Sequence, residues 1–597
     1  MSKKDVIEIK SIKIPKKEGG NIKLKKKLPK KVFISIVCVS VAVVLALCGI
    51  LAYTLLTKFD PQITDKHQTM NALPERLSGT IVLKDGGIYL CTSTSQKLID
   101  GNVYDAANSA AASQVSYIWD NSNEALYYLS TVEGQKNLML YKEGDENPSI
   151  ICKNVSSWSI SPDKTKIAVI TNADSTGMHG NLMLIHNGES KLLEVDCAKS
   201  QATYFSGDSS TLYALVGNNA MSELRMYRDD ESQTMLKEMF ALGWVSNDGN
   251  SFMTVDMGKT VTSEESSLRL YDYTFHNTDN KSLTLKDCYY LEVSPDGSVI
   301  YVMHSYDQEK QLFTLSAIDT GSLNHKTVAS EVFAMNPQAV TDCSKGVIYA
   351  TATAEDDKYD LYYFDTKSQR CSVIVKNSYA DSMNKIVIDP HKSQGYVILS
   401  NGSAQSLYKL QFKNGNITTN QVTVKDSKQR VTQMHELIYY EACHTVVISA
   451  NASLTSVELY YVNGSASGKL INDCGAIYDG GEYYSCSMLS NDGKYLVYLK
   501  DVVVISETDE DKFTDHPSAQ VYGKLRLYNA ETGDFTVISD EVLADTFDCI
   551  QVDAKCENIY FSKLTKDGKF DIYHYQTATD TTTLLMSQAD TMLSIAY

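Results

Sequence analysis

The sequence predicts an all-β chain. It reads as a β-propeller of repeated four-stranded blades, about ten to eleven units in one large ring or two, with one N-terminal transmembrane helix before it. Three observations predict this. A Ser-x-Asp turn between two apolar runs occurs five times, and the first four copies lie roughly 40–50 residues apart, the period of a propeller or array. A hairpin pattern follows each copy. Near the N-terminus, one apolar run is uninterrupted by charge.

Residues 1–31 carry twelve lysines against three acids, Asp5, Glu8 and Glu18, and form a basic tail. Val32–Leu56, "VFISIVCVSVAVVLALCGILAYTLL", holds no charged residue. As a helix this run would reach roughly 37 Å, enough to cross a hydrocarbon layer of about 30 Å with some tilt. It is too long for the apolar region of a cleaved signal peptide, and "AYTLLTKFD" offers no small-x-small site. The lysines before it orient the tail towards the cytoplasm and residues 58–597 outside the cell. The expected location is therefore the cell membrane, single-pass, with the membrane itself a partner through residues 32–56. Residues 57–78 read as a juxtamembrane stalk, and 79–597 as the extracytoplasmic propeller region.

The full chain has 597 residues and a net charge of −18, and the basic tail makes the rest more acidic still. An acidic body excludes nucleic acid as a partner, because phosphate binding requires clustered Lys and Arg. The 38 tyrosines and 10 prolines suit strands. Of 13 cysteines, Cys38 and Cys48 lie in the apolar run. The others are scattered without C-x-x-C or zinc spacing and read mainly as buried thiols.

The five turns are Ser161-Pro162-Asp163, Ser206-Gly207-Asp208, Ser246-Asn247-Asp248, Ser294-Pro295-Asp296 and Ser490-Asn491-Asp492. Asp accepts backbone N–H bonds in such a turn, and the glycines after three of them supply positive φ. A residue needed once for catalysis would not recur in every unit, so these aspartates are assigned to folding. Segments such as "LMLYKEGDENPSIIC" and "LRLYNAETGDFTVI" supply the second hairpin of a unit. Degenerate copies, among them "KIVIDPHKSQGYVILS", "LIYYEACHTVVISA" and "CIQVDAKCENIYFS", bring the total to ten units between about residue 115 and residue 586. The leftover ends, 79–99 and 591–597, would make one more blade from both termini and remove the exposed sheet edges. Ten or eleven units exceed the usual four to eight blades, which favours two propellers over one oversized ring.

In "WSISPDKTKIAVIT", "LEVSPDGSVIYVM" and "MLSNDGKYLVYLK" the repeat resembles the blade motif of TolB-type propellers and of dipeptidyl-peptidase and tricorn-type propellers. The resemblance implies a fold whose members bind protein partners, gate peptidase sites or act as scaffolds. It departs from TolB in having an anchor and a stalk in place of an extra N-terminal domain. A hydrolase domain is not expected, since G-x-S-x-G is missing and "GSASG" has Ala466 at its centre.

No catalytic, cofactor-binding or metal-ligating residue is identified. H-E-x-x-H, Walker and G-x-G-x-x-G patterns do not occur, and His391 and His444 sit in turns. The acidic stretch "SETDEDKFTDHPSAQ" is the most unusual local feature. Its Glu507, Asp509, Glu510 and Asp511 are the candidate partner-binding loop, with a solvated loop and a Ca²⁺ site as the alternatives. The expected function is a non-catalytic binding or scaffold module for a protein, peptide or glycan. The alternatives are a ligand sensor that signals through a partner, and a propeller enzyme with an axial carboxylate site acting on glycans.

Overall fold

The computed structural model describes residues 69–593 apart from Asn71 and short internal segments, the longest being 506–519. The basic tail, the apolar run 32–56 and the first part of the stalk lie outside the described residues. Among the described residues no helix is long and apolar enough to cross a membrane.

The described body is β-structure, with a short helix at Ser109–Ala112. Its antiparallel sheets resolve into units of four strands that follow one another along the chain, with an extra strand at Lys259–Thr262 in unit 4 and another at Glu482–Ser485 beside the last strand of unit 8. Units 1 to 10 span 117–152, 155–198, 203–239, 241–288, 290–333, 340–379, 386–422, 434–479, 487–543 and 550–589. Unit 11 joins both ends of the body: Gly79–Lys84, Gly87–Thr92 and Gln96–Asp100 are completed by Thr591–Met592. Its register pairs Val82 with Met592 and Leu83 with Thr591. Units 2 and 3 share a bridge at Cys197 and Val216, and units 5 and 6 one at Val332 and Thr351. Four-stranded antiparallel units repeated in this order, with the last built from both termini, are the β-propeller arrangement.

Packing explains the strand sequences. Second strands such as Leu212–Val216, Gln394–Ser400 and Thr445–Ala450 are buried along their whole length, so they read as continuous runs without alternation. Fourth strands such as Asn416–Val422 are largely exposed and polar. The bulkiest fully buried side chains are all tyrosines, among them Tyr128, Tyr213, Tyr301, Tyr498 and Tyr560 on second strands. Tyrosine fills the wide space between twisted sheets and keeps a polar tip for a partner.

Apolar clusters join each unit to its neighbour in chain order. Leu138 of unit 1 packs with Val169 of unit 2. Val397 of unit 7 packs with Leu361 of unit 6, and Ile398 with Leu437 of unit 8. One cluster joins Phe570 and Ile572 of unit 10, Val82 and Leu90 of unit 11, and Leu126 and Tyr128 of unit 1, so the succession returns to its start. Polar bonds cross the same seams: Thr80 Oγ1 donates to Gln551 Oε1 at 2.8 Å, and Gln551 Nε2 donates to the Leu593 carbonyl at 2.7 Å.

Eight cysteines are described as free thiols, five of them buried. Cys371 on unit 6 is exposed.

Candidate functional site

The Ser-x-Asp turn is built the same way in all five copies. The serine is buried and its Oγ donates to the Asp Oδ1 at 2.6–2.8 Å. That Oγ accepts the N–H five residues after the serine at 2.9 Å. The Asp Oδ1 accepts the N–H two residues after itself at 2.9–3.0 Å. Burial pushes the Asp163 carboxyl up, but hydrogen bonds from Ser161, Thr165 and Ser209 outweigh it and hold it at about 2. Asp208, Asp248 and Asp296 are also held below their usual range by such bonds against some burial.

These turns also touch one another. The Asp163 N–H donates to Ser209 Oγ of the next unit at 3.0 Å, the Asp208 N–H to the Asn247 carbonyl at 2.8 Å, and the Asn491 N–H to the Ala554 carbonyl at 2.8 Å. The recurring phrase therefore closes each hairpin, and in these three copies it also links the hairpin to the next unit.

Between units 8 and 9 the turns part to leave a cleft of about 640 Å³. One wall is the 442–445 turn with Tyr461, Asn463 and Lys469 of unit 8. The other is the 491–494 turn with Tyr528 and Glu531 of unit 9. Tyr461 stands opposite Gly468 in the register, where a Cβ would lie 2.9 Å from its ring, so only glycine allows the ring to lie across that strand. Asn463 Nδ2 donates to the Cys443 carbonyl and to Thr445 Oγ1 at 3.2 and 3.1 Å. Lys469 is held by Glu458 at 2.8 Å, and the exposed Lys494 and Glu531 face each other at 3.2 Å. The cleft thus offers aromatic surface, amide and hydroxyl groups, and charges of both signs.

Cys443 lines this cleft, and burial pushes its thiol up from 9.0. A protonated thiol is a poor nucleophile. On the far side of the same turn, His444 Nδ1 lies 2.9 Å from Tyr439 Oη and 3.6 Å from Oδ2 of the buried Asp389 of unit 7. Burial first, and then the Asp389 carboxylate, raise the Tyr439 phenol. That cluster ties units 7 and 8, and the raised Tyr439 phenol keeps its proton.

Glu507, Asp509, Glu510 and Asp511 lie outside the described residues, as does His391. His444 is in a turn as expected, with φ 51°. No cluster of three or more His, Cys, Asp or Glu side chains suited to a metal occurs among the described residues. Sequence reading missed the cleft because its walls come from separate units. The quoted "EACHTVV" was the one local signal.

No protein-family model and no curated protein sequence matches the chain. Among solved structures it is similar to the tricorn protease, at 9% identity and a TM-score of 0.24, over 86% of this chain and 62% of that one. The chain thus spans less than two thirds of that protease. It is also similar to the β-propeller domain of the Trilobed protease from Pyrococcus furiosus, at 13% identity and a TM-score of 0.26, over 57% of this chain and 94% of that one. For TolB from Acinetobacter baumannii the values are 12% and 0.21, over 57% and 82%.

Proposed function

We propose that this chain is a membrane-anchored, extracytoplasmic β-propeller that binds a ligand without converting it, and that the ligand sits in the cleft between units 8 and 9. The cleft lining carries this reading. Concave sites with aromatic surface and a few convergent polar groups are the usual seats of ligands. Of a protein, a peptide or a glycan, a glycan segment suits the lining best. Tyrosine faces stack on sugar rings, while Asn463, Lys469, Lys494 and Glu531 meet hydroxyls. The raised Cys443 thiol favours binding over covalent chemistry.

The charge-free run Val32–Leu56 and the lysines before it support the anchor and its orientation. The unbroken succession of packed units, ending where it began, supports a single ring of eleven blades over two smaller rings. Repetition around a ring leaves only short, protected sheet edges, one of the ways β-proteins avoid pairing with other chains.

Glycan-array and peptide-array binding by residues 58–597 tests the reading. The expected result is capture of a defined glycan class that falls about tenfold or more in Tyr461→Ala and Lys469→Ala, as for contacts at the heart of a binding site. Capture of peptides alone would change the ligand class. Reproducible binding to neither, or binding unaffected by both substitutions, overturns the proposal.

A further inference from the structure

Ahead of unit 11, Thr69 and Met70, Leu73, and Pro74 contact three units in turn. Thr69 and Met70 pair in parallel with Tyr439 and Tyr440 on the first strand of unit 8. The Met70 carbonyl then accepts the Glu441 N–H at 3.2 Å. Three residues on, Leu73 is held at both ends by one side chain. Its N–H donates to Asn491 Oδ1 at 2.8 Å, and Asn491 Nδ2 donates to its carbonyl at 2.9 Å. The Pro74 carbonyl accepts the Ala554 N–H of unit 10 at 2.7 Å. Leu73 is 6% exposed within the apolar cluster of units 9 and 10, and Leu77 is 3% exposed in the cluster of unit 11.

Those grips fall on the two walls of the cleft. Glu441 begins the turn whose Ala442, Cys443 and Thr445 line one wall, and Asn491 lines the other. At the seam, a Cβ on Gly493 would lie 3.6 Å from the Cys443 Cβ, so the walls meet closely there. Three residues of chain span at most about 11 Å. The segment therefore sets an upper limit on how far the walls separate.

We infer that the grips at Met70 and Leu73 are the two ends of a tie that limits how far the cleft opens and couples its occupancy to the chain N-terminal to it. Widening the cleft pulls on Leu73 through Asn491, and tension on the segment draws the two turns together. By linkage the effect runs equally in both directions. In its biological use the inference rests on the cleft being a ligand seat, and it gives the sensor alternative a physical route.

Cys443 reports the cleft width without any ligand. In the full chain its alkylation by iodoacetamide is followed by peptide mass spectrometry, with the exposed Cys371 of unit 6 as the internal standard. Asn491→Ala removes both bonds to Leu73. It is expected to raise the Cys443-to-Cys371 rate ratio by about tenfold or more, the factor two hydrogen bonds are worth. Two glycines inserted between Ala72 and Leu73 keep both grips but lengthen the tie, and should raise the ratio in the same direction. A bulky maleimide on Cys443 should speed hydrogen exchange at the Leu73 amide. A ratio unchanged within about twofold in either variant overturns the inference, since a cut or lengthened tie must loosen the walls. Exchange at Leu73 indifferent to the adduct overturns the coupling. None of these readouts uses a glycan, so failure here leaves the binding proposal standing, and failure of the arrays leaves the tie.

Discussion

At Ser206 the buried Oγ accepts the Thr211 N–H and donates to Asp208, while Asp208 accepts the Ser210 N–H. Unit 10 reaches the same end with one residue. Asp553 stands where the serine would be, and its carboxylate accepts both turn N–H groups, from Glu557 at 2.7 Å and Asn558 at 3.1 Å. Asp120 and Asp389 stand at the serine position of units 1 and 7, also buried. The five regular copies were legible because both polar residues are written out. The degenerate copies were legible only from their flanking strands, because the substitution of one carboxylate for two side chains appears only in the bonds. This makes a test. Asp553→Ser alone leaves the Glu557 N–H unpaired and should cost about 1–3 kcal/mol in denaturant unfolding. Adding Lys555→Asp rebuilds Ser-x-Asp and should restore most of that. No recovery would refute the equivalence.

The same aspartates give a pH dependence. The folded-state pKa values of Asp163, Asp208, Asp248 and Asp296 lie below the ordinary 3.8, with Asp163 at about 2. The unfolded chain therefore binds protons first as pH falls. Stability from these turns is present above about pH 4 and is lost towards about pH 2. Burial raises Asp553, so its titration opposes this trend. The thermal midpoint should fall across that acid window, and Asp163→Asn should flatten the fall. An equally steep decline in the variant would contradict the assignment.

Among elements, the hairpins and strand order were readable because burial on both faces writes unbroken apolar runs and turns punctuate them. The cleft was not, because two units contribute its walls. Nor was the tie, since Leu73 and Leu77 are isolated apolar residues in a segment without strand periodicity. The sharpest element-level constraint is the turn of unit 4 against unit 3. Gly249 has φ 63°, and a Cβ there would lie 2.5 Å from Thr211 Oγ1. Left-handed backbone in a non-glycine residue costs about 1–2 kcal/mol before any clash. Gly249→Ala should therefore lower the unfolding midpoint by more than that strain alone. A neutral substitution would mean that units 3 and 4 are not in contact at this turn.

For the whole molecule, the residues of unit 11 carry the closure. Asp590 accepts the Asp85 N–H at 2.8 Å and is also bonded by Tyr104 and Lys569, so one carboxylate ties the C-terminal strand to unit 11 and unit 10. That both ends would share a blade was readable from what the repeats left over. The number of rings was not, because a repeat period fixes the unit and says nothing of its curvature. An oversized ring needs only a slightly smaller turn per unit, which small differences in seam packing supply. The most direct measurement is a single-particle electron-microscopy map of residues 58–597. The expected result is one closed ring of eleven blades, with the strand at Thr591–Met592 lying beside Gly79–Lys84. Two smaller rings, or an open arc with those strands apart, would contradict it.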